Sequence, residues 1–94
     1  MQTLNNYVKL YYEGISRTCR LIISGFPINI TAQSGGASLG MLNTNYKPIK
    51  DMAFLFDNGQ NIYIRADEYA ASDIDFYTDS PVTMTLDYQM EWTV

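Results

Sequence analysis

The clearest pattern along the chain is a strict alternation of apolar and polar positions between residues 82 and 92. The apolar positions are Val82, Met84, Leu86, Tyr88, Met90 and Trp92, and every residue between them is polar. A period of two places successive side chains on opposite faces of a strand, whereas a helix would spread these side chains around its circumference. The pattern therefore predicts a β-strand with one buried face and one face in water.

Shorter β-type segments separated by turn residues fill the rest of the chain. Segments 7–12 and 17–24 flank a turn at 13–16 and predict a hairpin. Gly25-Phe26-Pro27 is expected to end its second strand, because proline lacks a backbone donor. Further strands are expected at 28–32, 37–42, 52–56, 61–67 and 74–78. With no convincing helix, about seven or eight short strands predict an all-β fold, an antiparallel β-sandwich formed by one domain over residues 1–94.

Three of these segments carry more specific predictions. Residues 52–56 form a continuous apolar run, which is typical of a strand that is covered on both faces. Asp57-Asn58-Gly59-Gln60 is the strongest tight-turn signature in the chain. In the strand that follows, Ile62 and Ile64 are expected to point inward, and Tyr63 to point outward with Arg65. Residues 68–72 are expected to form a longer connection.

Composition and charge narrow the range of partners. The 94 residues carry a net charge of −4, and the six basic residues form no dense run. Nucleic-acid binding requires a basic stripe, so no nucleic-acid partner is predicted. The apolar runs are too short to span a bilayer and the N-terminal residues lack a signal-peptide pattern, so no membrane insertion is predicted. The single cysteine, Cys19, excludes an internal disulfide and is expected to lie in the core.

The chain has little of the side-chain chemistry that catalysis needs. It contains no histidine, which removes the commonest general base, the usual nucleophile pairs and the commonest zinc ligand. No spacing singles out a pair of carboxylates for hydrolysis. We therefore predict no enzymatic activity, no catalytic residue, no cofactor and no metal site. The acidic group of Asp73, Asp75 and Asp79 could suit calcium, but it is better explained as the solvent side of a strand that carries Ile74 and Phe76 inward.

Eight tyrosines are a high share for a chain of this length. A tyrosine ring has an apolar face and a polar tip, which suits contact surfaces and stacking on sugars. Ordinary cross-strand packing explains much of the same count, so both interpretations stay open. Tyr11, Tyr63 and Tyr69 are the best surface candidates.

Several segments, taken in order along the chain, resemble a known protein family. They are the hairpin from Tyr7 to Ile23, the small-residue strand Leu39-Gly40-Met41-Leu42, the turn Tyr46-Lys47-Pro48, the strand Ile62-Tyr63-Ile64-Arg65-Ala66-Asp67, and the terminal strand from Thr85 to Trp92. This order resembles the C-terminal β-sandwich modules of tail, baseplate and receptor-binding proteins of phages that infect Gram-positive hosts. The chain departs from the family where Glu68-Tyr69, rather than a glycine, follows Asp67.

The resemblance implies a non-enzymatic homotrimer that forms part of the virion at the tail tip or baseplate and is assembled in the host cytoplasm. It also implies host attachment through a cell-wall saccharide, and the chain would then be the whole module or the C-terminal part of a longer tail protein. The alternatives are a structural baseplate adaptor that docks receptor-binding subunits and a small phage-encoded inhibitor protein. Under the saccharide hypothesis, the candidate ligand-binding residues are Tyr63, Arg65, Asp67 and Tyr69. The candidate residues of the subunit interface are Tyr11, Met52, Phe54 and Phe56; for residues 52–56, an interior strand without a quaternary role is the alternative.

Overall fold

The computed structural model describes residues 1–46, 48–56, 59–64 and 71–94 of the chain. These residues form eight strands and one short 3-10 helix, and the strands pair antiparallel in two four-stranded sheets. The strands are β1 (Gln2–Asn5), β2 (Val8–Glu13), β3 (Thr18–Ile30), β4 (Gly35–Asn43), β5 (Met52–Leu55), β6 (Asn61–Ile64), β7 (Ala71–Thr78) and β8 (Val82–Thr93); the 3-10 helix is Thr44–Tyr46. The predicted all-β sandwich is confirmed.

The order of the strands in the two sheets reflects a nested pattern of strand pairing. The first sheet, sheet A, has the order β1-β2-β3-β8, and the second, sheet B, has the order β4-β7-β6-β5. From β3 onward the pairing is nested: β5 pairs with β6, β4 with β7 and β3 with β8. Among the described residues, each sheet therefore ends in two strands that have a hydrogen-bonded neighbour on one side only.

The two sheets stack so that their end strands meet in pairs along the two long sides of the sandwich. On one side β1 lies against β4, where Asn5 Nδ2 donates to the Leu39 carbonyl oxygen at 2.7 Å. On the other side β8 lies against β5, where the Tyr88 ring contacts the rings of Phe54 and Phe56. We call the first side the closed edge and the second side the open edge.

The core lies between the sheets and consists mostly of aliphatic side chains. Its members are Val8, Leu10, Cys19, Leu21, Ile23, Ile28, Ile30, Leu39, Leu42, Ile62, Ile64, Ile74, Phe76, Leu86, Met90 and Trp92. On β8 every predicted inward residue is buried or half-buried and every polar residue between them is exposed. The predicted alternation of residues 82–92 is therefore confirmed along its whole length, as is the core position of Cys19.

The predicted break at Gly25-Phe26-Pro27 is wrong. Strand β3 continues through it to Ile30, with one extra residue between Ile23 and Phe26 that forms a bulge against β8. Gly25 takes a φ of 68°, and its amide donates to the Asp87 carboxylate at 2.8 Å. A positive φ of this kind favours glycine, which is common in bulges. Pro27 is tolerated because β2 pairs with β3 only as far as Ile23, so the proline lies where β3 has a single neighbour.

Within one copy of the chain, the described residues cover only one face of this segment, so the prediction that residues 52–56 form an interior strand is wrong. Strand β5 is an end strand of sheet B, and its side chains alternate between half-buried and exposed. Leu55 is 76% exposed, whereas Phe54 and Phe56 pack against the core. A continuous apolar run does not require two covered faces when some of its side chains remain in water.

The 3-10 helix that follows β4 of sheet B contacts residues of sheet A at one end of the sandwich. The carbonyl oxygen of Tyr46, at the end of the 3-10 helix, accepts a hydrogen bond from Trp92 Nε1 at 2.7 Å. The same oxygen lies 3.8 Å from Cys19 Sγ, and the Tyr46 ring contacts that of Tyr12. Within the described residues, no helix has the length and apolar character needed to cross a bilayer.

Candidate functional site

A shallow depression on the outer face of sheet B brings together two tyrosine rings and a carboxylate. It has a volume of about 420 Å³ and is lined by Tyr63, Asp75, Tyr77, Gly36 and Phe76. Tyr63 and Asp75 lie opposite each other on β6 and β7, and Gly36 lies opposite Tyr77 on β4 and β7. The two tyrosine ring centroids are 6.5 Å apart and the rings are inclined by 59°.

Gly36 explains why the side of Tyr77 that faces β4 is open. A Cβ atom at this position would lie 3.0 Å from the carbonyl oxygen of Phe76, which is too close for an ordinary contact. Strand β4 therefore carries no side chain beside Tyr77. On the other side, the Tyr63 side chain is 38% exposed, so part of its ring surface is available to a ligand.

Polar groups on the same face extend the depression along β7. Asp75 lies opposite Ser38 as well as Tyr63, and Ser38 Oγ donates a hydrogen bond of 3.0 Å to Asp73 Oδ1. Carboxylate and hydroxyl oxygens beside aromatic rings can accept and donate hydrogen bonds to sugar hydroxyls while the rings stack on the pyranose face. The arrangement suits a small polyhydroxylated ligand bound at the surface.

A second depression lies on the outer face of sheet A and has a volume of about 350 Å³. Across it, Tyr11, Arg20 and Glu91 occupy one row on β2, β3 and β8, because Arg20 lies opposite both of the others. The Arg20 guanidinium carbon is 5.4 Å from the centroid of the Tyr11 ring. This cation–π contact covers part of the Tyr11 ring, so this row is less open for stacking than the pair on sheet B.

The turn beside this second depression is organised by Glu13. Its carboxylate accepts hydrogen bonds from the Ser16 hydroxyl and amide, each at 2.6 Å, and from the Ile15 amide at 3.1 Å. The hydrogen bonds from Ser16, followed by that from Ile15, lower the pKa of Glu13 from its ordinary value, because they stabilise the charged carboxylate. The carboxylate is thus already occupied in holding the turn of the first hairpin.

The structure tests the placement of only part of the predicted ligand-binding set. Tyr63 lies on the surface, in the depression of sheet B, and its aromatic neighbour there is Tyr77. Arg65, Asp67 and Tyr69 lie outside the described residues. Tyr77, Asp75 and Gly36 were not among the predicted site residues, because only the strand register brings them beside Tyr63.

The predicted interface residues separate into two groups. Met52, Phe54 and Phe56 lie together at the open edge, half-buried and packed against the core. The centroid of the Phe56 ring is 4.7 Å from that of Tyr88 on β8. Tyr11 lies elsewhere, on the outer face of sheet A.

The acidic residues of β7 do not form a metal centre with their described neighbours. Ile74 and Phe76 are fully buried, as predicted, which leaves Asp73 and Asp75 on the outer face of the strand. Within the described ranges, no group of three His, Cys, Asp or Glu side chains is placed to hold a metal ion. Burial raises the pKa of the Cys19 thiol, so at neutral pH this group is the protonated, weakly nucleophilic form.

Comparison with known proteins adds no family. The chain matches no protein-family model, no curated protein sequence and no solved structure.

Proposed function

We propose that this chain is a non-enzymatic recognition module of a phage tail or baseplate, which assembles as a homotrimer and attaches the virion to a cell-wall saccharide of the host. The saccharide binds the depression on the outer face of sheet B. Its ring stacks against Tyr63 and Tyr77, and its hydroxyl groups bond to polar groups of β7. Three shallow sites in one trimer bind a repeating polymer more tightly than one site does.

The observation that carries this proposal is the pair of tyrosine rings beside Asp75 on the outer face of sheet B. Half-exposed aromatic rings next to carboxylate oxygens are well suited to binding a sugar, because each ring face covers C–H groups while the oxygens accept from hydroxyls. Gly36 supports it further, because it leaves the β4 side of Tyr77 without a side chain, and a Cβ atom there would lie only 3.0 Å from the Phe76 carbonyl oxygen. The order of segments that resembles phage tail modules supplies the biological setting.

The proposal is tested by measuring the binding of purified cell-wall polysaccharide fragments from Gram-positive bacteria, using saturation-transfer NMR and amide chemical shifts. We expect shifts centred on Tyr63, Asp75 and Tyr77. Replacing Tyr63 by alanine should weaken binding about fivefold to tenfold, since a stacked ring contributes about 1–1.4 kcal/mol. Tyr77→Ala should have a comparable effect.

Tyr7 offers a control away from sheet B, in the turn between β1 and β2. Its side chain is 39% exposed, close to that of Tyr63, and its ring also contacts another ring, that of Phe26. Tyr7→Ala should leave saccharide binding unchanged. Equal losses in Tyr7→Ala and Tyr63→Ala, or shifts confined to the row of Tyr11, would contradict the placement of the site.

A second candidate function, the structural adaptor, is favoured by one other surface. A mainly apolar depression of about 280 Å³ is lined by Pro48, Ile49, Met52 and Trp92, together with Lys50 and Thr93. Ile49 is 81% exposed. An exposed aliphatic side chain beside an apolar hollow suits a protein partner better than a sugar. If Ile49→Asp abolishes co-assembly with a receptor-binding subunit and no polysaccharide binds, the adaptor replaces the recognition module.

A further inference from the structure

The four end strands of the sandwich differ in how their free backbone groups are protected. Long, regular strand edges invite pairing with another chain, and soluble proteins shorten, bulge or cover them. Two of the four end strands, β1 and β5, contain only four residues each. Strand β4 is longer, but Leu39 forms a bulge in it, and Asn5 donates a hydrogen bond to the Leu39 carbonyl.

Strand β8 has none of these protections. It runs for 12 residues without proline, glycine or lysine, and the extra residue in its ladder with β3 lies on β3. In the part of the chain that the structure describes, no strand pairs with its outer edge. Half-buried apolar side chains border this edge; they are Met52, Phe54, Phe56, Val82, Met84 and Tyr88.

The best complement to this edge is the same strand of a second copy. Because β8 alternates without fault, two antiparallel copies can continue each other's apolar inner face and polar outer face along their full length. A register shifted by one residue would place inner side chains opposite outer ones. Only registers with a residue of β8 on a two-fold axis keep the faces continuous.

The charges of Asp87 and Glu91, the two carboxylates on the outer face of β8, favour one of these registers. With Asp87 on the axis, the two Asp87 side chains lie opposite each other. With Gln89 on the axis, Asp87 lies opposite Glu91 of the second copy. With Tyr88 on the axis, Asp87 lies opposite Gln89 and Glu91 lies opposite Thr85, so no like charges are directly paired. This central register also pairs residues 83–93, which is all of β8 except Val82.

We propose that two copies of this chain pair through β8, antiparallel and about a two-fold axis at Tyr88, to form one continuous eight-stranded sheet. The contact is isologous, and it covers the half-buried residues of the open edge in both copies. It does not depend on saccharide binding. It also differs from the three-fold contact of the proposed trimer, which then has to use residues other than Met52, Phe54 and Phe56. A protein that makes both contacts about intersecting axes is a hexamer.

The register is tested with charge variants on the exposed outer face, where folding is little affected. Gln89→Glu places a carboxylate opposite Asp87 of the second copy at two symmetric positions, and should weaken the two-fold contact about threefold to tenfold. Gln89→Lys should strengthen it by a similar factor. Thr93→Glu carries the same net charge as Gln89→Glu but lies opposite Thr83, so it should change the affinity less than about twofold.

The measurement is sedimentation equilibrium of the wild type and the three variants at low ionic strength, up to about 1 mM protein. A dimer, or a hexamer that Gln89→Glu converts to trimers, supports the β8 contact. A monomer or a trimer at every concentration overturns it, as does a dimer that Gln89→Glu and Thr93→Glu weaken equally. Saccharide binding, measured separately through Tyr63→Ala, shows whether the proposed function survives either result.

Discussion

The closed edge and the open edge of this sandwich differ in how the end strands of the two sheets contact each other. At the closed edge, β1 and β4 each contain a bulge, at Leu4 and Leu39, and Asn5 bridges the two sheets through the Leu39 carbonyl. At the open edge, the described contacts between β8 and the β5 segment include those of the Tyr88 ring with the rings of Phe54 and Phe56. Among the described residues, one side is thus closed by backbone irregularity and a hydrogen bond, and the other by the packing of apolar side chains.

This difference indicates which edge of the molecule can accept a partner. Bulges and side-chain hydrogen bonds occupy the backbone groups of an end strand and bend it away from further pairing. Aromatic packing leaves the backbone of β8 regular and available. A sandwich built in this way has one side that ends its sheets and one side that can extend them.

The largest expected effect comes from the closed edge, at Gly40. Its φ of 142° suits glycine only, and a Cβ atom there would lie 3.1 Å from the Leu4 side chain. Gly40→Ala should lower the free energy of unfolding by about 2–3 kcal/mol, measured by urea denaturation. Gly25→Ala is the control, because its φ is also positive but a Cβ there meets no atom within 4 Å. This control should cost about 1 kcal/mol, and equal losses would show that the approach of β1 to β4 is not tight.

The next effect tests the hydrogen bond that bridges the closed edge. Asn5→Ala leaves the Leu39 carbonyl without its side-chain donor, and it also removes the Asn5 Oδ1 that accepts from the Tyr7 amide at 2.9 Å. The loss should be about 1–2 kcal/mol in urea denaturation. Asn29→Ala is the control, because it removes an exposed hydrogen bond of 3.2 Å to Thr83. This variant should lose less than about 0.5 kcal/mol, and if both variants lose the same free energy, the closed edge owes its stability to something other than Asn5.

A smaller effect is expected at the bulge that aligns β8. Asp87→Ala removes the acceptor of the Gly25 amide, and should cost about 1 kcal/mol. Asp87→Asn keeps an oxygen acceptor at the same place and should recover at least half of that loss. The comparison is made by urea denaturation in dilute protein, because Asp87 also faces the proposed second copy. A variant with asparagine that is as unstable as the one with alanine would assign the effect to charge.

The smallest effect is expected at the tip of the open edge. Leu55 on β5 is 76% exposed. Leu55→Lys should therefore change the free energy of unfolding by less than about 0.5 kcal/mol. The same variant should be more soluble, since it places a lysine on an end strand. A loss above about 1 kcal/mol in urea denaturation would mean that Leu55 packs against residues at this edge.

The alternation of apolar and polar residues predicted the strands that have one face in water. It failed where strand pairing depends on residues that are distant in the sequence. The pattern of β8 was complete, since local periodicity alone defines its two faces. The continuation of β3 past Pro27 depends on where β2 stops, and the edge position of β5 depends on the whole sheet order. Strand β1 was not predicted, because four largely polar residues carry no strong periodicity.

The candidate site was predicted only in its local part. Outward alternation on β6 identified Tyr63, but Tyr77 comes beside it through the pairing of β6 with β7. Gly36 reached the same face through the pairing of β4 with β7, which no local pattern reveals. Long-range register decides which surface residues meet, whereas periodicity decides only which residues are on the surface.

Residue-level hydrogen exchange at low and high protein concentration tests the contrast between the two edges most directly. We expect amides of β8 to exchange more slowly as the concentration rises, whereas amides of β1 and β4 should show no change. Tyr88 and its neighbours at the centre of β8 should show the largest slowing, because they lie at the proposed two-fold axis. Exchange from β8 that is independent of concentration, or slowing that is equal at both edges, would contradict this expectation.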